Sequence, residues 1–572
     1  MSGDDATRDT AGQPLCWWQT RAFVAAMALV AIVPLLWPDI PPLVDLPGHM
    51  ARYRVQLDGG AHPWLSGWYD FHWQLIGNLG IDLLVVPLAP LFGLELAVKL
   101  VVIAIPALTV TGLLWIAREV HGRIPATALF ALPLAYGYPF QFGFVNFALS
   151  MAFALNLFAL WLRLARLGRF GLRAALFVPL SCLLWLTHTF GWGVLGVLAF
   201  SAEMIRQHDA LTDRRGAAGW RERLRRGHWF AAWVRAGLGC LPLVLPLALM
   251  VLWRSGDHVS GQTADWFNWR AKLRWGVMAL RDRWIGFDIA SVALLLLILA
   301  VAVRDRTIEY SRNLGLSALF LLAVYLLLPR IVFGSAYADM RMVPFLFAIA
   351  LVALRPRRDV APRRAALVAA LGLAFVLART AGTTVSYWLY DRTYDRNLAA
   401  LDHLPQGARL VSLVGHTCRD EWRYSRLEHL PGLATVRRLA YTNDQWSMAG
   451  GQLLTTRYLP AQGFSHDPSQ IVTRRRCRGE WWRPIGLALP LLPRSAFDYV
   501  WLIDPPRYDP ALLAGLTQVW RSGNSLLLRI DDRTQPPVPA RYLPLLLAPR
   551  LKGINPASTA WSASTPSRSR TR

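Results

Sequence analysis

Lysine is nearly absent from this chain: Lys99, Lys272 and Lys552 are its only three, so the formal net charge of +25 rests almost wholly on arginine. In a soluble protein such a balance would point to nucleic acid. Here the arginines cluster between apolar runs, where they read as topology signals, and no nucleic-acid partner is expected. Cysteine is scarce as well. Cys16, Cys182 and Cys240 lie in or beside apolar segments, and no cysteine spacing resembles a metal site. Cys418 and Cys477 fall in the C-terminal region, where an oxidising compartment would allow a disulfide but two cysteines in one domain pair by no rule. No small-x-small site follows the first apolar run. The chain continues Pro38-Asp39-Ile40-Pro41-Pro42, so that run reads as a retained anchor and not a cleaved signal. The C-terminal region lacks G-x-S-x-G, H-E-x-x-H and phosphate-loop motifs. No repeat relates the two halves, as many transporters would show.

What the chain has in excess is apolar length. Hydrophobic residues make up 54% and mean hydropathy is +0.31, above the range of soluble domains. Charge-poor runs cover 22–37, 98–117, 124–141, 144–162, 172–204, 236–253, 287–303, 313–329, 340–354 and 364–382. Four connectors are rich in arginine: Arg163 to Arg173, Arg206 to Arg226, Arg304 to Arg312, and Arg355 to Arg364. The positive-inside rule places all four in the cytoplasm. The run 172–204 lies between two such connectors, so it must be a hairpin turning near Thr187–Gly193. Working backwards by parity leaves 38–97 outside, and the run 79–93, broken by Pro87 and Pro90, becomes a re-entrant or interfacial helix. The expectation is a mainly α, polytopic membrane protein with about eleven spans and a small external α/β C-terminal domain. Its parts are a cytoplasmic segment over 1–21, a membrane domain over 22–382 with a large first external loop at 38–97, an external domain over 383–550, and a disordered basic tail over 551–572. Strands are predicted at Ala408–Leu413, Tyr499–Ile503 and Ser525–Ile530.

The first external loop carries the sharpest constellation, Asp45-Leu46-Pro47-Gly48-His49-Met50-Ala51-Arg52. An acid, an imidazole and a guanidinium stand at i, i+4 and i+7. If a helix starts near Leu46-Pro47, Asp45 is its N-cap and His49 and Arg52 share a face. In the plainer reading Asp45 only caps an interfacial helix and Arg52 snorkels to headgroups. The arrangement resembles the GT-C superfamily of polyprenyl-phosphate-sugar-dependent glycosyltransferases. These have an inside N-terminus, one span, then a long external loop with an acidic catalytic residue near its start. The stretch looks like the D-x-P-x-H-x-x-R form of bacterial members, and Gly93-Leu-Glu-Leu-Ala-Val-Lys99 looks like their passage into the second span.

The resemblance implies a hexosyl- or pentosyltransferase of the bacterial inner (plasma) membrane, serving the cell envelope. Asp45 would be the general base that deprotonates an acceptor hydroxyl. His49, Arg52, His188, Arg330 and Arg341 are the candidate substrate-binding residues, an external arginine taking the lipid phosphate. Arg330 and Arg341 flank one external turn and read equally as interfacial anchors. His188, at the predicted hairpin turn, is either a turn residue or part of a cavity roof. The external stretch Tyr136–Asn146 has Gln141 and Asn146 but no Asp or Glu, where some family members hold a divalent metal. That departure implies a metal-independent enzyme with no cofactor beyond its lipid-linked donor. The aromatics there would stack on sugar or isoprenoid, or form a membrane belt. The loop 254–286, rich in Trp and Arg, breaks the inside-positive pattern and is expected to lie on the outer leaflet as an amphipathic helix. Expected partners are a polyprenyl-phosphate-linked sugar, membrane lipids, and an acceptor that is a glycan, lipid or protein. The competing readings are a non-enzymatic transporter or flippase, and a membrane scaffold for envelope polysaccharide.

Overall fold

Proline placement and apolar length decide which hydrophobic runs become continuous helices. The computed structural model describes residues 14–213, 228–255, 263–332, 334–357, 361–418, 421–447, 453–478, 480–540 and 543–544. The expected disordered tail, and most of the arginines of the second connector, lie outside the described residues. In chain order the first helices are α1 (Arg21–Ile32), α2 (Leu46–Asp58), α3 (Pro63–Trp68), α4 (Gly80–Phe92), α5 (Leu94–His121) and α6 (Tyr138–Phe142). There follow α7 (Val145–Arg166), α8 (Phe170–Thr187), α9 (Thr189–Asp213), α10 (Trp229–Gly239), α11 (Leu245–Ser255) and α12 (Trp269–Val277). The bundle ends with α13 (Ile285–Arg304), α14 (Arg312–Leu327), α15 (Val343–Val352) and the long α16 (Pro362–Leu398).

Five of these are long and apolar enough to cross a membrane: α5, α7, α8, α13, and α16 with its 3-10 extension to His403. Trp229–Gly239 and Leu241–Val251, bent by 47°, make a sixth if taken as one span. The expected eleven is thus not what the helices give. A span needs about 20 residues at 1.5 Å each. Arg21–Leu35, Gly80–Phe92, Arg312–Leu327 and Met340–Val352 are all shorter. The run 124–141 forms no continuous α-helix: with Pro125, Pro133 and Pro139 in it, Ala126–Tyr136 is a buried 3-10 segment packed among α5, α15 and α16, and only the short α6 follows. The run 172–204 does break in two, at His188, whose extended backbone (φ −169°) separates α8 from α9. The second half of α9 is polar, and its Glu203 pairs with Arg173 at 2.6 Å.

The arginine-rich connectors meet at one end of the bundle. Arg166 bonds Glu119 at 2.8 Å, Arg312 bonds Asp209 at 2.6 Å, Arg355 bonds Glu309 at 2.7 Å, and Arg364 bonds Asp305 at 2.6 Å. The short strands β2 (Ile308–Tyr310) and β3 (Leu354–Pro356) pair there too, after β1 (Tyr69–Phe71) earlier in the chain.

The C-terminal region builds a small sheet at the other end. Its strands are β4 (Leu410–His416), β5 (Leu454–Thr456), β6 (Ile471–Thr473), β7 (Arg483–Pro484), β8 (Tyr499–Ile503), β9 (Leu516–Ser522) and β10 (Ser525–Ile530). The main sheet runs β7-β6-β4-β8-β10-β9. β4 lies parallel to β6 and β8, and β10 lies antiparallel between β8 and β9, which forms the other edge. β4 is central, and Leu410 to Val414 are buried on both faces, as a parallel strand requires. Two short helices, α17 (Gly432–Arg438) and α18 (Ile485–Leu491), accompany it. The sheet region is stitched to the bundle. β1 in the first loop pairs antiparallel with β5. Arg426, fully buried, bonds Asp282 and Gln141 at 2.8 Å each, bonds the Pro42 carbonyl, and lies over the rings of Tyr387, Tyr390 and Tyr424.

Candidate active site

Asp45 is held by its backbone while its carboxylate is left unused. Pro47, in the first turn of α2, fixes the helix start, and Asp45 takes the N-cap position without any side-chain capping bond. Its backbone N–H donates to the Phe142 carbonyl at 3.0 Å. Gly143 makes this approach possible. Its φ is +99°, and a Cβ there would stand 2.7 Å from the Asp45 nitrogen. The plain capping role therefore does not account for Asp45. Its buried carboxylate has no hydrogen bond or ion pair to any described residue.

Charges of both signs surround it. Burial pushes the Asp45 carboxyl up to about 7; His429 and Arg341 oppose this, while Glu428 and Asp467 add to it. Arg341 is buried beside it and bonds only Ser335 Oγ at 3.2 Å and the Ala336 carbonyl at 3.4 Å. Its guanidinium lies 4.1 Å from the Phe144 ring centroid, and no carboxylate among the described residues forms an ion pair with it. His188 shares its surroundings: Arg341 and His188 both pack on the rings of Phe147 and Phe190. Tyr337, nearby, holds a left-handed φ of +62°, a strained conformation for an aromatic residue.

The remaining candidates are placed differently. Arg52 faces Asp82 in a buried pair at 2.8 Å; Asn146 bonds the same carboxylate at 2.9 Å, and Gln56 bonds the Asp82 carbonyl at 2.7 Å. Arg52 is thus committed to a structural charge. Arg330, partly exposed, pairs with Asp265. Gln141 and Asn146, noted above for not being acidic, brace Arg426 and Asp82 respectively. His49 packs on Trp446 with centroids 4.9 Å apart, and burial together with Arg52 holds its imidazole well below the usual histidine range.

The far wall comes from the C-terminal region. His429 packs on Trp446 as His49 does, with ring centroids 4.3 Å apart. Its Nδ1 donates to the Asp444 carbonyl at 3.0 Å, and its Nε2 lies 3.9 Å from the Asp467 carboxylate. Burial alone would lower it, but the carboxylates of Asp444, Asp467 and Asp45 raise it to about 10, so it is cationic. Burial keeps Asp467 above the ordinary carboxylate range. One sequence signal leads here: Leu-Pro-Gly follows Asp45 and follows His429. The two tripeptides pack together: a Cβ on Gly48 would stand 3.2 Å from His429 Nδ1, and one on Gly432 would stand 2.7 Å from the Pro47 carbonyl oxygen.

A buried carboxylate titrating near 7 beside an unpaired guanidinium can accept a proton and receive a departing anion. No protein-family model matches the chain, and no curated protein matches it.

Proposed function

We propose that the chain is a membrane glycosyltransferase that moves a sugar from a polyprenyl-phosphate donor to an acceptor hydroxyl, on the face bearing the C-terminal sheet. The observation that carries this reading is the proximity of a buried, unbonded Asp45 carboxylate to the unpaired Arg341 guanidinium. Asp45 takes the proton of the acceptor hydroxyl as its oxygen attacks the anomeric carbon. The bond from that carbon to the phosphate oxygen breaks, and Arg341 receives the negative charge gathering on the leaving phosphate. No step calls for a metal.

An open apolar cavity of about 580 Å³ supports a lipid-linked donor. Trp192, Gly193, Val197, Phe200, Gly237 and Leu243 line part of it, and it begins four residues beyond His188. Such a groove between helices suits an isoprenoid chain, with the phosphate directed towards His188 and Arg341. The disulfide between Cys418 and Cys477 supports an outward-facing C-terminal region in a bacterial inner membrane.

The test is transfer of radiolabelled sugar from polyprenyl-phosphate donors in membranes carrying the wild type or Asp45→Asn. Loss of about 100-fold or more at equal expression is expected. Transfer unchanged by Asp45→Asn would refute the assignment, and no transfer from any donor would favour a transporter or scaffold.

A further inference from the structure

The loop joining β6 to β7 holds a concentration of charge that this chemistry does not use. Arg474, Arg475, Arg476 and Arg478 are all exposed, and none of their side chains bonds or pairs with a described residue. Four guanidinium groups within five positions repel one another, and no carboxylate among the described residues forms an ion pair with any of them, although Glu480 lies in the same loop. The loop is nonetheless pinned in place. Cys477 is disulfide-bonded to Cys418, and Trp482 packs on His416 with centroids 4.5 Å apart. His416 in turn lies 3.1 Å from Glu428, the chain neighbour of His429. The arginine loop is therefore tied to the segment that brings His429 towards Asp45. It also sits at the carboxyl ends of β4 and β6, the end of parallel strands where α/β sheets hold ligands.

Planar guanidinium forks pair with phosphate and carboxylate oxygens, so a ligand bearing several such groups supplies the missing negative charge. Lipid headgroups are the competing source. A membrane-dipping segment needs an apolar face beside its basic one. Here Trp481 is the one large apolar side chain exposed in the loop, 42% exposed, and 474–482 contains no aliphatic residue. A flat indole beside arginines suits a charged sugar chain better than a bilayer.

We propose that this loop docks the acceptor, and that the acceptor is a polyanionic glycan carrying phosphate or carboxylate groups. The assignment of the ligand as acceptor rests on the transferase reading above; the binding itself does not.

The test uses the full chain in nanodiscs of neutral lipid, with polygalacturonate and inorganic polyphosphate as probes. Replacing all four residues (Arg474→Gln, Arg475→Gln, Arg476→Gln, Arg478→Gln) should weaken binding about tenfold or more and flatten its salt dependence. The matching four-lysine variant keeps the charge and should retain most of the binding; it also serves if the glutamine variant fails to fold. Asp45→Asn should bind both probes like the wild type. Polyanion binding that is absent, or equal in all variants, overturns the proposal. Arginine-dependent binding to phosphatidylglycerol vesicles with none to the soluble probes overturns it in favour of a headgroup site. Transfer insensitive to Asp45→Asn, with arginine-dependent polyanion binding intact, would sink the transferase reading and leave the loop as a polyanion site.

Discussion

If Asp45 is the base, transfer must follow its ionised fraction, and its neighbours must move that fraction in opposite directions. Burial pushes Asp45 up to about 7. Its ionised share then climbs from about a tenth at pH 6 to about nine tenths at pH 8, and kcat/KM rises roughly tenfold. Cationic His429 favours the ionised form, and the Asp467 carboxylate opposes it. A charge close to a carboxyl moves its pKa by about one to three units. His429→Gln should therefore shift the midpoint up by about that much, and Asp467→Asn should shift it down. Initial rates between about pH 5.5 and 9 with a fixed donor measure both. Midpoints that stay put, or that move the same way in both variants, refute the reasoning. Stability gives an independent sign. The folded value lies above the ordinary 3.8, so the stabilising contribution is full below about pH 4 and is lost as pH rises through about 7. Asp45→Asn should then be more stable to unfolding than the wild type at pH 8, by an amount on the order of a few kcal/mol, and not at pH 4.

Arg341 and Arg330 should separate in the same transfer assay. Arg341→Gln is expected to cost about 100-fold or more, while Arg330→Gln, which removes a partly exposed partner of Asp265, should cost severalfold at most. Arg52→Ala leaves Asp82 buried and unpaired, so unfolding in detergent should show a loss of about 3–5 kcal/mol. The double variant with Asp82→Ala should recover part of that loss. Cys418→Ser opens a loop whose ends are 59 residues apart, which lowers stability by about 4 kcal/mol on the chain-entropy argument. Thermal melts with and without reductant check this, and the wild type under reductant should approach the variant.

The fold was legible where a local rule decides it. Tyr499–Ile503 and Ser525–Ile530 alternate or run apolar between turns, and they are strands at those bounds. The charge of the connectors was legible as well, because Glu119, Asp209, Asp305 and Glu309 gather the arginines at one end of the bundle. The count of spans was not. Hydropathy reports that a residue is apolar, not whether lipid or protein covers it. Ala126–Tyr136 is apolar because the bundle buries it on every side, and its prolines exclude a regular α-helix.

The site divides along the same line. Asp45 was legible because Pro47 sets a helix start and an acid precedes it within one turn. Arg52 and Asp82 could not be told from functional charges, since their pairing spans 30 residues and leaves no periodic trace. His429 lies farther still, and a pattern search for acids and bases in the C-terminal region finds only scattered residues. What joins it to Asp45 is a shared device. Each residue precedes Leu-Pro-Gly, and each glycine removes the Cβ that would keep the other segment away. Two helix starts built alike can approach closely enough for a cation on one to face a carboxylate on the other. A chain that kept Asp45 for capping alone would need neither Gly48 against His429 nor Gly432 against Pro47. The paired glycines are therefore best understood as holding the C-terminal wall against the acid, so on the transferase reading the sheet region contributes to the site.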